Sequence, residues 1–284
     1  MAKLIDGRAI AKAVRAEVRA EVEALTAAGR RPSLVAVEVG HDPASELYVR
    51  RQAKTCGKLG IAYDRLQLPE DCSEAALLAE LDRLAERDDV TGVILQMPLP
   101  AQINPRTARR ALSPDMDIEG VHPQTLGWLL SGRTTLAPPT AAAALACIEA
   151  TGVPLAGAEA VVVGHSETVG KPVALLLMER LATVTVCHHE TRSVADHTKD
   201  ADIVVVAVGK PGLVTGSMIK PGAVVIDVGI NEVDDGSGGT RVVGDVEFDS
   251  VEPVASWITP VPGGVGPVTV AMLAKNTVRA LGQA

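Results

Sequence analysis

The residues Gly164-His165-Ser166-Glu167-Thr168-Val169-Gly170 join an apolar run ending at Val163 to a helical one. Glycine lets backbone come close to a phosphate, and a helix N-terminus offers free N–H groups and the positive end of its dipole. Gly164, His165, Ser166 and Val169 are therefore candidate contacts for the phosphates and ribose of a dinucleotide. The middle position is serine, so the spacing is not GxGxxG, and the loop alone reads equally well as a plain strand–turn–helix. Two later apolar runs also end in glycine, at Val208-Gly209 and at Val228-Gly229, with Ile230 following. Open α/β sheets bind ligands at the carboxyl ends of their strands, and three such ends point to a dinucleotide crevice. Cys187-His188-His189-Glu190 follows the next strand, where ribose specificity is set. Glu190 would repel a 2′-phosphate, whereas protonated His165 and His189 would attract one. His188, His189 and His197 also invite a metal reading, but no carboxylate or cysteine completes a ligand set, so none is expected.

The elements that must position these residues alternate. Ile10, Val14, Val18, Val22 and Leu25 recur at helical spacing and predict a helix over 6–28 that Gly29 ends. A strand over 34–40, helices over 42–59 and 73–87, and a strand over 93–96 follow, the last closed by Pro98-Leu99-Pro100. In the second half, strands are expected over 160–164, 183–187, 203–208 and 224–228. A helix over 171–181 tolerates Pro172 in its first turn. Apolar strands alternating with helices imply a parallel sheet covered on both faces. The segment 114–122 is rich in Pro, Asp and Gly and reads as a domain junction. A last helix, about 268–281, is expected to pack back on the first domain.

Composition narrows the function classes. The 284 residues carry a formal charge of −8 and only 2% aromatics. That balance argues against nucleic acid or an anionic membrane, which call for a basic face. Cys56, Cys72, Cys147 and Cys187 form no CxxC pair or zinc template and read as reduced thiols. Residues 1–7 hold no apolar signal core, and no apolar run approaches the ~18 residues of a membrane helix. A cytoplasmic protein is expected.

Several further segments carry a resemblance. Thr259-Pro260-Val261-Pro262-Gly263-Gly264-Val265-Gly266-Pro267-Val268-Thr269 is the most specific. Gln96-Met97-Pro98-Leu99-Pro100, residues 224–231, Val243-Gly244-Asp245-Val246, and Pro43-Ala44-Ser45 followed by Tyr48 add to it in order. Over nearly its whole length the chain resembles the bifunctional methylenetetrahydrofolate dehydrogenase/cyclohydrolase (FolD) family. The resemblance implies an α/β fold with an N-terminal folate-side domain, a Rossmann-like parallel-sheet dinucleotide domain, and a cleft between them. The expected division is 1–120 plus 268–284 for the folate domain and 121–267 for the dinucleotide domain. It also implies a cytoplasmic homodimer that oxidises methylene-tetrahydrofolate with NADP, or less often NAD, and then hydrolyses the methenyl product.

The resemblance assigns roles. Tyr48 would stack on or orient the pterin, and Gln96 would position residue 52. Residue 119 would hold the pterin amine and ring nitrogen. Met97, Pro98, Leu99, Pro262 and Gly263 would line the substrate, with Gly264 between folate and nicotinamide. Val208, Gly209, Gly229 and Ile230 would meet the cofactor, Ile230 at its nicotinamide end.

The chain departs from the family at telling places. The family's catalytic helix reads Tyr-x-x-x-Lys, but position 52 is Gln52. Lys54 lies two residues on and cannot share the face that Tyr48 and Gln52 share. Glutamine has no usable pKa, and general acid–base help is worth about 10²–10⁴ in rate. Hydride transfer depends more on placing donor and acceptor carbons. Dehydrogenase chemistry is thus expected to outlast cyclohydrolase chemistry. Glu119 stands where the family has aspartate, 138–143 reads Pro-Pro-Thr-Ala-Ala-Ala rather than Pro-Cys-Thr-Pro-x-Gly, and His165 and His189 replace residues usual near the adenosine ribose. A paralogue acting on a different one-carbon adduct, or a non-catalytic folate- or dinucleotide-binding protein, are the competing expectations.

Overall fold

The computed structural model describes residues 1–41, 43–133, 135–236 and 238–283, without the side chains of 43–45, 47, 48, 51 and 283. In chain order the elements begin β1 (Lys3–Leu4), α1 (Gly7–Ala27), β2 (Ser33–Val39), α2 (Pro43–Leu59), β3 (Ala62–Leu68), α3 (Glu74–Ala85), β4 (Gly92–Leu95), α4 (Pro105–Ala111) and α5 (Pro123–Leu130). They continue with α6 (Pro139–Glu149), β5 (Glu159–Val163), α7 (Gly170–Met178), β6 (Thr183–Cys187), α8 (Ala195–Thr198), β7 (Ile203–Val206) and β8 (Val224–Asp227). The last are β9 (Asn231–Asp234), β10 (Thr240–Val243), α9 (Phe248–Val251), β11 (Trp257–Ile258) and α10 (Val265–Gln283).

Two compact units result: Met1–Lys12 with Pro138–Thr269, and Ala13–Ala137 with Val270–Ala284. These limits differ from the sequence-derived ones at residues 1–12, 121–137 and 268–269. Residues 1–12 lie with the second half because β1 pairs in parallel with β11, Lys3 beside Trp257 and Leu4 beside Ile258. Residues 121–137 lie with the first half.

The unit built on 13–137 holds a three-stranded parallel sheet ordered β3-β2-β4. Val35, Val37 and Val39 of β2 and Val93 and Leu95 of β4 pack with Leu77, Leu81 and Leu84 of α3. The spacing of those leucines by three and four puts them on one helix face. Ser73 starts α3 by accepting the Ala76 N–H. β3 was not expected from sequence, since its Asp64 and Arg65 confine the apolar alternation to Leu66 and Leu68. α10 packs into this unit through polar anchors. Asn276, buried, donates to the carbonyls of Ile118 and Ala137 at 2.8 and 2.9 Å, and Lys275 pairs with Glu17.

The other unit is a six-stranded parallel sheet ordered β1-β11-β8-β7-β5-β6. β5, β7 and β8 are buried on both faces, which is why they read as unbroken valine and isoleucine runs. β6 pairs on one side of β5 and β7 on the other. The strand order reverses there, which makes the carboxyl ends of β5 and β7 the ligand-binding edge of such a sheet. Among the described residues the cysteines are free, and no helix is long and apolar enough to cross a membrane.

Candidate functional site

In the unit built on 13–137, α2, β3 and the end of β4 bring three polar side chains together. Gln52 of α2 accepts at Oε1 from Gln96 Nε2 at 3.1 Å and from Tyr63 Oη at 3.2 Å. Gln96 follows β4, and its own N–H donates to Val37 O. Burial holds the Tyr63 phenol above its ordinary pKa, so it is the donor in this pair. Beside Tyr63 on the same strand, Arg65 grips buried Glu38 of β2 through two bonds of 2.9 and 3.0 Å. The same guanidinium reaches Glu46 of α2 at 2.8 Å, fixing α2 over the sheet. Hydrogen bonds from Arg65 and then Arg50 hold the Glu46 carboxyl down at about 2. The expected pairing of Gln96 with residue 52 is thus present. Tyr48 lies on α2, but its side chain falls outside the described residues.

Glu119 sits in the loop after a bridge between Val93 and Asp117. Asp117 is fully buried and accepts the N–H groups of Val121 and His122 at 3.2 and 2.8 Å, which folds this loop back on itself. Burial, and then the negative charge of Asp117, push the Glu119 carboxyl up to about 7, with Arg109 and the Leu95 backbone opposing. Glu119 therefore changes charge near neutral pH beside the strand end that carries Gln96. Met97, Pro98 and Leu99 continue from Gln96, with a cis peptide between Met97 and Pro98.

In the other unit, the sequence candidates gather at the carboxyl ends of parallel strands. Gly164 leaves β5 at φ +126°, and a Cβ there would stand 2.2 Å from Ala207 O. Only glycine lets the ends of β5 and β7 approach so closely. Ser166 Oγ accepts from the N–H groups of Val169 and Gly170 at 3.1 and 3.3 Å. It caps α7, so its acceptor capacity is spent on the loop it was expected to share with a cofactor. The rings of His165, His188 and His189 stand 5.3, 5.7 and 6.0 Å apart by pairs. His188 Nδ1 accepts the Glu190 N–H, and His189 Nε2 lies 3.6 Å from Glu190 Oε1. Sequence reading grouped 188, 189 and 197; the fold groups 165, 188 and 189. Among the described residues no set of three His, Cys, Asp or Glu side chains is arranged to hold a metal.

Val208 and Ile230 are apolar yet 37% and 58% exposed at the ends of β7 and β8. Asp245, fully buried, organises both exits. Its Oδ2 accepts from Val208 N and Gly209 N at 2.7 and 2.9 Å, and its Oδ1 from Lys210 N and the Asn231 side chain at 2.9 and 2.8 Å. Asp227 in turn accepts from the N–H groups of Gly229, Asp245 and Val246. A Cβ on Gly229 would meet the Asp245 carboxyl at 2.3 Å. Pro262, Gly263 and Gly264 follow β11 and lead into α10, with a cis peptide between Val261 and Pro262. What this edge offers a dinucleotide is the set of strand exits at Gly164, Gly209 and Gly229 and the exposed apolar residues Val208 and Ile230 at two of them.

Tyr63, Arg65, Asp117 and Asp245 escaped the sequence reading as site residues. Asp245 lies in a quoted motif, so its signal was present without its role. Tyr63 had no signal, because the bond that gives it a role spans α2 and β3.

The comparisons agree with this geometry. Residues 5–119 match the family model described as the catalytic domain of tetrahydrofolate dehydrogenase/cyclohydrolase, and 138–284 match its NAD(P)-binding domain. The bifunctional protein FolD of Rhodobacter capsulatus is 48% identical over 98% of this chain and 93% of its own. The structure of the bifunctional FolD dehydrogenase/cyclohydrolase from Campylobacter jejuni superposes with a TM-score of 0.95 at 37% identity, covering 100% of this chain and 99% of that one. A Trypanosoma brucei methylenetetrahydrofolate dehydrogenase-cyclohydrolase, complexed with NADP and an inhibitor, gives 0.93 at 41%, covering 99% and 98%. The chain belongs to the tetrahydrofolate dehydrogenase/cyclohydrolase family.

Proposed function

We propose that this protein oxidises 5,10-methylenetetrahydrofolate to 5,10-methenyltetrahydrofolate with NADP, NAD being the alternative acceptor, and that its cyclohydrolase activity is weak. The observation that carries the reading is Gln52 at the family's lysine position, held by Gln96 and Tyr63, within a chain that matches both family domains. The bound nicotinamide supplies a two-electron acceptor: the methylene carbon gives up hydrogen with both bonding electrons and becomes the cationic methenyl carbon. This chain's residues have only to bind and align. Gly164, His165 and Ser166 would meet the phosphates and ribose, Val208, Gly209, Gly229, Ile230 and Gly264 would flank the nicotinamide half, and His189 would lie toward the adenosine ribose.

On the folate side, Glu119 as a carboxylate would accept from the pterin's amino and ring N–H groups. Gln52 would contact the reacting ring without taking a proton, with Tyr48, Met97, Pro98 and Leu99 beside it. Hydrolysis of the methenyl product differs, since water must lose a proton as it attacks, and an amide accepts none at neutral pH. The reading makes the protein a cytoplasmic homodimer without a nucleic-acid partner, in keeping with a charge of −8.

Incubating the protein with methylenetetrahydrofolate and each dinucleotide, while following reduced nicotinamide and methenyl absorbance, tests it. Reduced cofactor with accumulating methenyl product is expected. Brisk enzyme-dependent loss of methenyl absorbance would overturn the cyclohydrolase half. A second reading, a paralogue acting on another one-carbon adduct, draws on Glu119 and Gln52 both departing on the folate side. Dinucleotide binding without turnover of methylenetetrahydrofolate would favour it or a non-catalytic binding role.

A further inference from the structure

We infer that Tyr63 is a positioning residue that, together with Gln96, turns the Gln52 amide so that its N–H₂ group, not its oxygen, meets the folate substrate. The inference rests on the folate reading above and concerns what the lysine's replacement does. Both neighbours donate to the same atom, Gln52 Oε1, at 3.1 and 3.2 Å. A carbonyl oxygen has two lone pairs, and both are used. The burial that raises the phenol's pKa keeps Tyr63 a donor. Gln52 Nε2 donates to none of the described residues, which leaves its N–H₂ group for a ligand.

Without Tyr63, Gln52 and Gln96 could rotate their amides together and keep one hydrogen bond in either direction. With it, Gln96 can turn its own amide to follow a reversal, but the phenol hydrogen would lose the acceptor it has in Gln52 Oε1, so Tyr63 sets the direction. The position is therefore not a lysine site that has decayed. It is a site that offers an uncharged donor to an acceptor atom of the substrate, either a ring nitrogen or a carbonyl oxygen. An uncharged donor there also places no fixed cation beside the carbon that turns cationic during oxidation.

Three variants test this: Tyr63→Phe, Gln52→Glu and the pair together. Glutamate has the shape of glutamine but presents only acceptors when ionised. Two readouts are taken at pH 7.5, the Kd for tetrahydrofolate by fluorescence quenching and the KM and kcat for methylenetetrahydrofolate, with thermal denaturation as the folding control. Gln52→Glu is expected to weaken folate binding at least tenfold. Tyr63→Phe is expected to raise folate KM several-fold while the KM for dinucleotide and the Tm stay nearly unchanged. In the double variant, removing the phenol should add little to the loss from Gln52→Glu, because Tyr63 acts through residue 52. Folate affinity at or above wild type in Gln52→Glu would show that the oxygen faces the substrate and overturn the inference. An unchanged folate KM in a well-folded Tyr63→Phe would overturn the role of Tyr63. If wild type binds tetrahydrofolate but oxidises nothing, the functional reading fails while the Kd series still decides the amide's direction. If wild type binds no folate, both fail, and normal dinucleotide binding would mark the folate reading as the cause.

Discussion

Gln52 and Gln96 meet amide to amide, Gln96 Nε2 donating to Gln52 Oε1 at 3.1 Å across 44 residues of sequence. The contact also says what a lysine at position 52 would find. Gln96 can rotate its amide to present oxygen, and Tyr63 Oη keeps a lone pair, so two acceptors are within reach of an ammonium. Gln52→Lys should therefore be accommodated, and should raise methenyl-tetrahydrofolate hydrolysis at least tenfold, toward the ~10²–10⁴ that a proton-transfer group contributes. Dehydrogenase kcat should change much less. The loss of methenyl absorbance measures the first and reduced nicotinamide the second. A folded Gln52→Lys variant with unchanged hydrolysis would place the defect elsewhere, with Glu119 the next suspect.

Glu119 gives a pH dependence with a definite sign. Its ordinary value is 4.5, and burial and Asp117 raise it to about 7 in the folded chain. Below about 4.5 folded and unfolded states both hold the proton, and this group's full contribution to stability is present. Between 4.5 and 7 the unfolded chain ionises first, and that contribution is progressively lost. Above 7 the loss is complete, at most about 3 kcal/mol. Glu119→Gln should therefore raise Tm by a few degrees at pH 8 and by little at pH 4.5. Folate KM should move the other way in wild type, rising as pH falls through about 7, because the protonated carboxyl accepts poorly from the pterin. A Tm gain that does not shrink toward acid pH would show that burial of charge is not the cause.

The parts legible in the sequence were those whose signal is local. β5, β7 and β8 announced themselves because both faces are buried, and Gly164 because its strand runs straight into a helix. β3 did not, since Asp64 and Arg65 confine its apolar alternation to Leu66 and Leu68. β1 did not, because two residues hold no period and its partner β11 lies some 250 residues away. The folate-side residues were legible only through resemblance. Gln52, Gln96 and Glu119 come from three separate segments, and nothing in their spacing links them. Tyr63 and Arg65 lay beyond both routes, because their roles are created by the packing of α2 on β3.

Asp245 carries a prediction for the dinucleotide side. Four N–H donors converge on its carboxylate, three from the β7 exit and one from Asn231. Asp245→Asn keeps the volume but aims an N–H₂ group at donors, leaving at least one buried N–H unpaired. Hydrogen bonds to charged groups contribute about 1.5–3 kcal/mol each. Tm should fall by several degrees, and KM for the dinucleotide should rise about tenfold, since ~1.4 kcal/mol is a factor of ten. Folate Kd should stay within about twofold if the damage is confined to this exit. A normal dinucleotide KM in the folded variant would mean that the loop conformation does not govern cofactor binding.

The histidine cluster carries a prediction about the choice between dinucleotides. NADP differs from NAD by a 2′-phosphate, and the loop that follows β6 is where a Rossmann-like sheet meets that part of the ribose. His165, from the β5 exit, faces His188 and His189, from the β6 exit, with ring centroids 5.3 and 5.7 Å away. His188 is held by its Nδ1 bond from Glu190 N–H and by its own N–H on Thr191 Oγ1 at 2.9 Å. That leaves its Nε2 as an N–H donor in the neutral ring. Opposing these donors is the Glu190 carboxylate, 3.6 Å from His189. Replacing both His165 and His189 by alanine should raise KM for NADP about tenfold, the worth of one charge-assisted bond, and leave KM for NAD nearly unchanged. Glu190→Gln should move the preference the other way, toward NADP, by removing a like charge. Both changes belong in KM, because the 2′-phosphate lies far from the carbon that receives the hydride. Equal losses for the two dinucleotides in the double variant would mean that the cluster only braces the β5 and β6 exits.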